Sequence, residues 1–400
     1  MKFHIEKLDY EGRGISREKD KVIFIEGALP GEEVEASKIK EEKHFELYKA
    51  TQILKPALKR RTPFCPFSKE CGGCTFAMVS YENSLLYKKA IIEDLLKHNG
   101  LEHINIEIAS SPKQTGYRNK ISLKIHDNQI GYYKEGSHDF VPIANCLIAL
   151  PAIQNLLEDV SLITIQEGAI TIRSNNNDEL LLIIESQEEP KFKEELIQKH
   201  KIAGIIWNEK CLYNSPFFFE RLDHLLYKVS AESFFQVNTD IAEQIAKDIL
   251  PFFKKEDIVY DLYCGVGYFS LKLARIVKQV IGIEINPKAI LNATYNASLN
   301  NLTNTSFHVG KVEEILPKLP YKPSKVLVDP PRSGLAKQVL DVLLTSSINQ
   351  IIYISCNPKT LVRDLKKLTE KYEIKSLKLY DMFPFTKHVE VCASLELKKC

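Results

Sequence analysis

The chain has 400 residues, 44% of them hydrophobic and 26% charged, with a formal net charge of +2. This length allows two or three domains with separate cores, and the near-neutral charge means that any nucleic-acid binding must use local patches. No long apolar core follows the first residues, and no apolar run reaches about 18 residues, so we expect no signal peptide, no membrane span and a cytoplasmic protein. Nine cysteines favour metal or catalytic use over a disulfide framework.

Residues 1–56 read as short strands separated by glycine turns. The turns fall at 9–14 and 29–32, and strand patterns occupy 21–25 and 34–39. Several short strands with such turns predict a small barrel. Residues 10–15, 22–24 and 27–32 resemble the TRAM domain, an OB-like RNA-binding barrel; a purely structural or dimerising barrel is the alternative. A basic linker follows at 55–61.

Three cysteines, Cys65, Cys71 and Cys74, lie within ten residues, with two glycines between the last two. Zinc ribbons usually have two Cys-x-x-Cys pairs, whereas only one is present here, so a fourth thiolate must come from elsewhere. Cys146 is the candidate. Four thiolates suit a [4Fe–4S] cluster, and zinc is the alternative.

A helix is predicted over 81–99, with apolar residues on one side and Gly100 at its end. The strand-rich segment 113–134 then carries five Lys or Arg residues, including Lys120 and Lys124, against one acid, with tyrosines interleaved. Cations that meet phosphates and rings that stack on bases suit single-stranded RNA. An amphipathic hairpin whose tyrosines pack at a domain boundary is an equally good interpretation.

From about residue 231 the pattern alternates between strands and helices. Strands are predicted at 258–263, 280–284, 325–329, 351–355, 376–380 and 391–397. This order indicates a doubly wound sheet, in which ligands bind at the carboxyl ends of the strands.

A glycine turn, Gly265-Val266-Gly267, follows the first of these strands, and Glu284 ends the second. The turn allows close backbone approach to a ligand, and an acid about 20 residues further on suits ribose hydroxyls. The third glycine of the dinucleotide fingerprint is missing, which favours S-adenosylmethionine over a pyrophosphate cofactor. Asp329, followed by two prolines at a strand end, also fits a methyltransferase.

Cys356 is predicted at the tip of a buried strand, in Ser-Cys-Asn-Pro, where it can be presented to a substrate. A small buried hydrophobe is the alternative role for such a cysteine. Carbon 5 of uracil is a poor nucleophile, but thiolate addition at carbon 6 activates it toward a methyl donor. A base must then remove the carbon 5 proton; Glu390 is the candidate, and His388 is the competing one.

These motifs together resemble the TrmA-like RNA uridine-5 methyltransferase family over essentially the whole chain, and in particular its 23S rRNA type with a TRAM domain and a [4Fe–4S] cluster. The resemblance implies cluster ligands at Cys65, Cys71, Cys74 and Cys146, the nucleophile Cys356 and the base Glu390. It also implies S-adenosylmethionine contacts at Gln236, Tyr263, Glu284 and Asp329. Tyr268 and Gly310-Lys311 stand where some members have asparagines. Cys264 is read as packing, and Cys392 and Cys400 as incidental.

We therefore expect a multi-domain α/β protein: an OB-like TRAM barrel at 1–56, a β-rich RNA-binding domain with the iron–sulfur cluster at 57–230, and a Rossmann-like class I methyltransferase domain at 231–400. Helix 81–99 is a candidate for packing on the last domain. The expected reaction is formation of 5-methyluridine in 23S rRNA by a monomer with no protein partner. The alternatives are a tRNA T-loop uridine and a non-catalytic RNA-binding protein.

Overall fold

The computed structural model of the protein describes residues 1–18, 21–134, 139–319 and 322–399. Cys400 lies outside these ranges. The first 55 residues form one six-stranded sheet in the order β1-β5-β6-β4-β3-β2. Its strands are β1 Lys2–His4, β2 Lys7–Leu8, β3 Gly14–Glu18, β4 Lys21–Glu26, β5 Glu33–Glu41 and β6 Phe45–Lys55. Side chains alternate along β4 and the start of β5, with Ile23, Ile25 and Val34 in a shared small core, whereas Ile39 near the end of β5 is exposed.

The middle of the chain contains a seven-stranded sheet in the order β10-β9-β8-β12-β13-β15-β16. The elements of this part are α1 Ser68–Cys71, α2 Tyr81–His98, β7 Ile106–Ala109, β8 Lys120–His126, β9 Gln129–Tyr133, β10 Phe140–Pro142, α3 Pro151–Glu158, β11 Ile163–Thr164, β12 Glu167–Ser174, β13 Leu180–Glu185, β14 Lys191–Phe192, α4 Glu194–Lys199, β15 Ile202–Trp207, β16 Lys210–Asn214, β17 Phe217–Leu222 and β18 Leu225–Ser230. The pairs β11–β14 and β17–β18 form separate two-stranded sheets.

The C-terminal part builds an eight-stranded sheet in the order β21-β20-β19-β22-β23-β25-β24-β7. Its elements are α5 Thr239–Ile249, β19 Ile258–Leu262, α6 Tyr268–Ala274, β20 Gln279–Glu284, α7 Pro287–Leu299, β21 Thr305–Val309, α8 Val312–Ile315, β22 Lys325–Val328, α9 Lys337–Thr345, β23 Gln350–Ser355, α10 Pro358–Leu368, β24 Tyr372–Tyr380 and β25 Glu390–Leu397. The first five strands in this order are parallel, and β25 runs antiparallel to both its neighbours. This is the mixed α/β fold that the sequence predicts.

Two hydrophobic cores cover the two faces of this sheet. On β22, Val326 and Val328 enter one core while Leu327 enters the other, as the period-two alternation of a strand requires. Strand order reverses between β19 and β22, which are neighbours although two strands separate them in sequence. Ligands of open α/β sheets bind at such a reversal.

Helix α2 and strand β7 belong to this sheet in space although they precede it by about 150 residues in sequence. Strand β7 pairs in parallel with β24, so that Ile106 faces Leu377. Ile92 and Leu96 of α2 share a core with Leu365 of α10. Among the described helices, none combines the length and apolar character needed to cross a membrane.

Candidate active site

A cavity of about 910 Å³ opens at the carboxyl ends of the parallel strands, where the strand order reverses. All six residues that the sequence analysis selected outside the cysteine cluster line it: Gln236, Tyr263, Glu284, Asp329, Cys356 and Glu390. They come from six separate segments of the chain. The sheet brings five of them together because each ends, follows or begins a strand at the same edge, and Gln236 joins them from the segment before α5.

The glycine turn after β19 shapes one wall of this cavity. Tyr263, Gly265 and Gly267 all have positive φ, at 68°, 54° and 84°. At Gly267 an added Cβ would lie 2.8 Å from the Leu271 side chain, so the turn needs glycine there. The Gly265 N–H donates to Glu284 Oε2 at 3.2 Å, which fixes the carboxylate against the turn.

Asp329, directly after β22, lies half-buried in the cavity wall, near the buried Asp261. Burial raises its pKa, and the nearby Asp261 carboxyl raises it further. Burial also raises the pKa of Asp261 to about 7, although the Ser270 hydroxyl donates to it at 2.5 Å. Asp261 was not selected from the sequence; its only signal is a charged residue inside an otherwise apolar strand.

Cys356 lies between β23 and α10, as predicted, and is half-buried. The side chain of the following residue, Asn357, caps α10 by accepting from the Lys359 N–H at 3.1 Å, and its amide donates to the Arg332 carbonyl at 2.8 Å. Burial raises the pKa of the Cys356 thiol to about 11, with Glu390 and Asp329 adding to the rise and Arg332 opposing it. A thiol with this pKa is protonated at neutral pH.

Glu390, the first residue of β25, is 8% exposed. Burial raises its pKa well above the usual range, and Asp329 raises it further. His388, the competing base, also lines the cavity, but burial followed by Arg332 and Lys387 lowers its pKa to about 4. His388 is thus neutral near pH 7. Both His388 and Glu390 line the cavity.

Several further residues line the cavity that the sequence analysis did not assign to the site. Arg118, Lys120 and Ser122 contribute polar groups from the seven-stranded sheet and the loop before it, while Phe234 and Phe383 contribute rings. The Arg118 guanidinium lies 5.9 Å from the centroid of the Phe383 ring. Lys311 lines the cavity as well, whereas Tyr268 is buried behind it and donates its hydroxyl to Glu243 at 2.7 Å.

The N-terminal sheet also reaches Cys356. A smaller cavity of about 180 Å³ is lined by Tyr10, Arg332 and Cys356, among others. The Lys387 ammonium lies 2.7 Å from Glu11 Oε2, which ties the glycine turn of the first sheet to the segment that carries His388. Cys356 therefore lines two cavities, one of them at the boundary with the N-terminal sheet.

The four cysteines expected to hold a cluster come near one another, but they do not form a ready metal site. Burial raises the pKa of Cys74 to about 12, with Cys146, Cys71 and Cys65 contributing in that order. Among the described residues, no group of three or more His, Cys, Asp or Glu side chains is arranged to hold a metal ion. The four thiols therefore lie near one another, but their arrangement does not support a metal cluster.

An open α/β sheet with a glycine turn, a strand-end cysteine and a buried glutamate around one cavity is typical of a methyltransferase-like enzyme. A family profile described as tRNA (Uracil-5-)-methyltransferase matches residues 182–398. The chain belongs to this family of S-adenosylmethionine-dependent RNA uracil-5 methyltransferases.

Relatives span the full chain. A protein of Aquifex aeolicus named as an uncharacterized RNA methyltransferase is 33% identical over 419 residues, covering 100% of this chain and 99% of its own. One of Bacillus cereus with the same description is 32% identical over 439 residues, covering 98% and 96%. The crystal structure of Pyrococcus abyssi tRNA (uracil-54, C5)-methyltransferase in complex with S-adenosyl-L-homocysteine superposes with a TM-score of 0.79 at 25% identity, covering 99% of this chain and 100% of that one.

Proposed function

We propose that the protein methylates carbon 5 of a specific uridine in RNA, with Cys356 as nucleophile and Glu390 as base, and that 23S rRNA is the substrate. The observation that carries this proposal is the meeting of Cys356, Glu390 and Asp329 in one cavity, close enough that each carboxyl raises the pKa of the thiol. A nucleophile, a base and a polar strand-end group around one empty volume fit the chemistry of addition and elimination.

The addition and elimination steps use these side chains, and the methyl group would come from S-adenosylmethionine. The Cys356 thiolate adds to carbon 6, and the electrons of the C5–C6 double bond move onto the carbonyl at carbon 4. When bound, S-adenosylmethionine would supply an electrophilic methyl group: carbon 5 would bond to it as the bond from that methyl to the sulfonium sulfur breaks, leaving S-adenosylhomocysteine. Glu390 then takes the carbon 5 proton, the C5–C6 double bond re-forms, and the C6–S bond breaks to release the thiolate.

Gln236, Tyr263, Glu284 and Asp329 are proposed to hold the cofactor. The fit rests on the chemistry of the cavity wall: backbone N–H groups beside a glycine turn fix the Glu284 carboxylate, and an acid at this strand end would accept hydrogen bonds from ribose hydroxyls. A positive charge held near Asp329, Glu390 and Cys356 favours their ionised forms, so cofactor binding also prepares the nucleophile and the base.

The proposed domain division is 1–56, 57–230 and 231–400, with the first unit acting as an OB-like TRAM barrel. Support comes from its separate six-stranded sheet and from Tyr10, which lines a cavity together with Cys356. The middle unit would guide RNA along β8, where Lys120, Ser122 and Lys124 lie on one face and Lys120 and Ser122 line the catalytic cavity. Action as a cytoplasmic monomer remains a prediction.

We also propose a [4Fe–4S] cluster on Cys65, Cys71, Cys74 and Cys146, with zinc as the alternative. The four thiols are half-buried. Burial and then neighbouring cysteines raise the pKa values of Cys71 and Cys74, so thiolates here are poorly stabilised unless a metal neutralises them. The cluster would order the segment between the linker and α2, and the methyl transfer needs no redox step.

A tRNA uridine is the second candidate substrate. It is favoured by the Pyrococcus abyssi enzyme, which is named for a tRNA uridine and superposes over 99% of this chain, the N-terminal sheet included. Methyl transfer to 23S rRNA and tRNA transcripts, followed by mapping of 5-methyluridine in RNA from a deletion strain, decides between them.

The catalytic roles are tested with RNA that contains 5-fluorouridine. Because fluorine cannot leave as a proton does, the native enzyme should form a covalent protein–RNA adduct that survives denaturing gels. Cys356→Ala should form none, while Cys264→Ala, a buried cysteine beside the glycine turn, serves as the control and should form it. An adduct with Cys356→Ala would contradict the assignment.

A further inference from the structure

A second cavity, of about 440 Å³, lies outside the site described above. Its wall combines three aromatic residues from separate segments, Phe64, Tyr81 and Phe385, with exposed polar residues that include Arg61 and Thr115. Cavities of this size with an apolar wall and a few polar groups are typical small-ligand sites. We propose that it binds a nucleobase of the RNA strand that flanks the target uridine. The inference rests on RNA being the substrate.

The aromatic wall is suited to a flat ring. The Phe385 ring lies 4.6 Å from that of Phe64 and 5.7 Å from that of Tyr81, measured between centroids. The Tyr81 hydroxyl already accepts the Ser111 N–H at 2.6 Å. Tyr81 and Phe385 are each only 6% exposed, so the half-buried Phe64 has the ring that a ligand reaches most readily. Every base has a π face, and stacking on aromatic side chains is the common way in which proteins hold unpaired bases.

Phe385 is held in an unusual conformation at this position. Its φ is 62°, in the left-handed region that a bulky residue rarely adopts. The carbonyl of Phe385 accepts the Phe76 N–H at 2.8 Å, which helps to keep it there. Backbone strain of this kind concentrates at ligand-binding sites, and here it places one more ring in the wall of the cavity.

The same two loops border both cavities. The loop of residues 381–389 carries Phe383, which lines the catalytic cavity, and Phe385, which lines the second one. The other loop supplies Thr115 to the second cavity and Arg118 to the first. The Tyr117 hydroxyl donates to the Pro384 carbonyl at 3.1 Å and joins the two loops between them. An RNA strand with its target base in the catalytic cavity would thus have a neighbouring base within reach of the second.

The rim carries one cation and one acid, Arg61 and Glu82, and both are exposed. Within the described parts of the chain the Arg61 guanidinium forms no ion pair. The pKa of Glu82 is lowered by hydrogen bonds from its own N–H and from Ser80, and then by the Arg61 charge. A cation available to a phosphate stands beside Gln114 and Thr115, whose side chains can bond base edges.

The test fills the cavity and measures RNA binding apart from chemistry. Thr115→Trp places a large ring at the exposed rim, and Thr345→Trp, an exposed threonine at the end of α9 that lines none of the cavities named here, is the matched control. The probe is a short single-stranded RNA of random sequence. Thr115→Trp should weaken its binding about tenfold, the size of effect that loss of one stacked base produces, while Thr345→Trp should not.

A second variant tests the rim charge without steric change. Arg61→Gln should lower the dependence of log affinity on log salt by about 0.7, as expected for one lost contact to single-stranded RNA. Arg275→Gln, an exposed arginine paired with Asp223, is its control and should leave the slope unchanged. S-adenosylmethionine affinity should stay the same in all four variants, which shows that the fold is intact.

RNA affinity within twofold of the native protein for both Thr115→Trp and Arg61→Gln overturns the proposal; a cavity that takes a peptide side chain would give this result. Cross-linking of the same RNA, substituted with 4-thiouridine, to peptides that contain Phe64 or Phe385 supports it. The 5-fluorouridine adduct reports separately on uracil methylation, so failure of that activity and failure of this site are distinguishable.

Discussion

Lys88 of α2 and Asp381, 293 residues apart in sequence, form a fully buried ion pair with 2.6 Å between Nζ and Oδ1. The same ammonium donates to the Phe383 carbonyl at 2.9 Å. Burial lowers the pKa of Lys88, and the Asp381 carboxylate opposes that effect. One cation thus holds the start of the loop that runs through Phe383 and His388 to Glu390.

Lys88→Met should reduce the free energy of unfolding by about 3–5 kcal/mol, because Asp381 would remain buried without its partner. Lys89→Met is the control: Lys89 is more exposed and lies 3.7 Å from Glu93, so its loss should cost no more than about 0.5 kcal/mol. Denaturant unfolding measures both. Equal costs for the two variants would show that the buried pair does not hold the loop.

Glu390→Gln should accumulate a covalent adduct with ordinary uridine RNA. Addition of Cys356 and methyl transfer proceed without the base, but the carbon 5 proton stays and the thioether cannot eliminate. Mass spectrometry of the trapped RNA should find the methyl group already present. The double variant with Cys356→Ala should give no adduct, and an unmethylated adduct would assign Glu390 to an earlier step.

Binding of S-adenosylmethionine should tighten as the pH rises through about 7. The pKa of Asp329 is raised to about 7, chiefly by burial, and only the ionised carboxylate attracts a positive sulfonium. Below that pH affinity should fall by up to about tenfold per pH unit for one released proton. Calorimetry should show a much flatter dependence of affinity on pH for S-adenosylhomocysteine, which is uncharged at sulfur. The Asp329→Asn variant should show the same flat dependence with S-adenosylmethionine.

Protein purified without oxygen should be brown and contain about four irons per chain. Cys74→Ser should remove the colour, since Cys74 is influenced by all three other thiols, whereas Cys211→Ser, an exposed cysteine outside the group, should retain it. Elemental analysis decides the metal. Stoichiometric zinc without iron would show that the four cysteines bind zinc and not a [4Fe–4S] cluster.

Replacing Lys120 and Lys124 with alanine should weaken RNA binding and lower its salt dependence, because each lost phosphate contact removes roughly one released counterion. S-adenosylmethionine affinity should not change. Lys210→Ala on β16, whose ammonium is paired with Glu189, is the control. An unaltered salt slope in the double variant would identify this face of β8 as a packing surface.

The sequence was sufficient to predict a sheet of alternating strands and helices after residue 231 and the convergence of Cys356, Glu390 and Asp329, because residues at strand ends meet at one edge whatever the loops do. It was not sufficient where partners are far apart. The sequence does not indicate that Lys88 is buried, because charged residues in a helix are typical of its solvent-exposed face. Tyr117, read as either an RNA-stacking or a packing residue, is buried with its hydroxyl on Pro384.

Contacts between the middle and C-terminal parts were also beyond local patterns. Arg118 and Lys120 were recognised as basic but not as part of the cavity wall, because no periodicity relates them to Cys356 more than 200 residues later. Phe383 and Phe385 are two residues apart but line different cavities, and Phe385 has a left-handed φ. Such an angle at phenylalanine has no sequence signature.

The pairing of β7 with β24 means that the enzyme's catalytic half is not a transferable module. A fragment that began at residue 182, where the family match starts, would lack the four residues that cover the edge of Tyr372–Tyr380. That edge would expose unpaired backbone groups beside an apolar surface stripped of α2, a template for aggregation. Gene fusion or truncation during evolution would therefore have to carry residues 81–109 along with the C-terminal sheet, which keeps the middle and C-terminal parts in a single polypeptide.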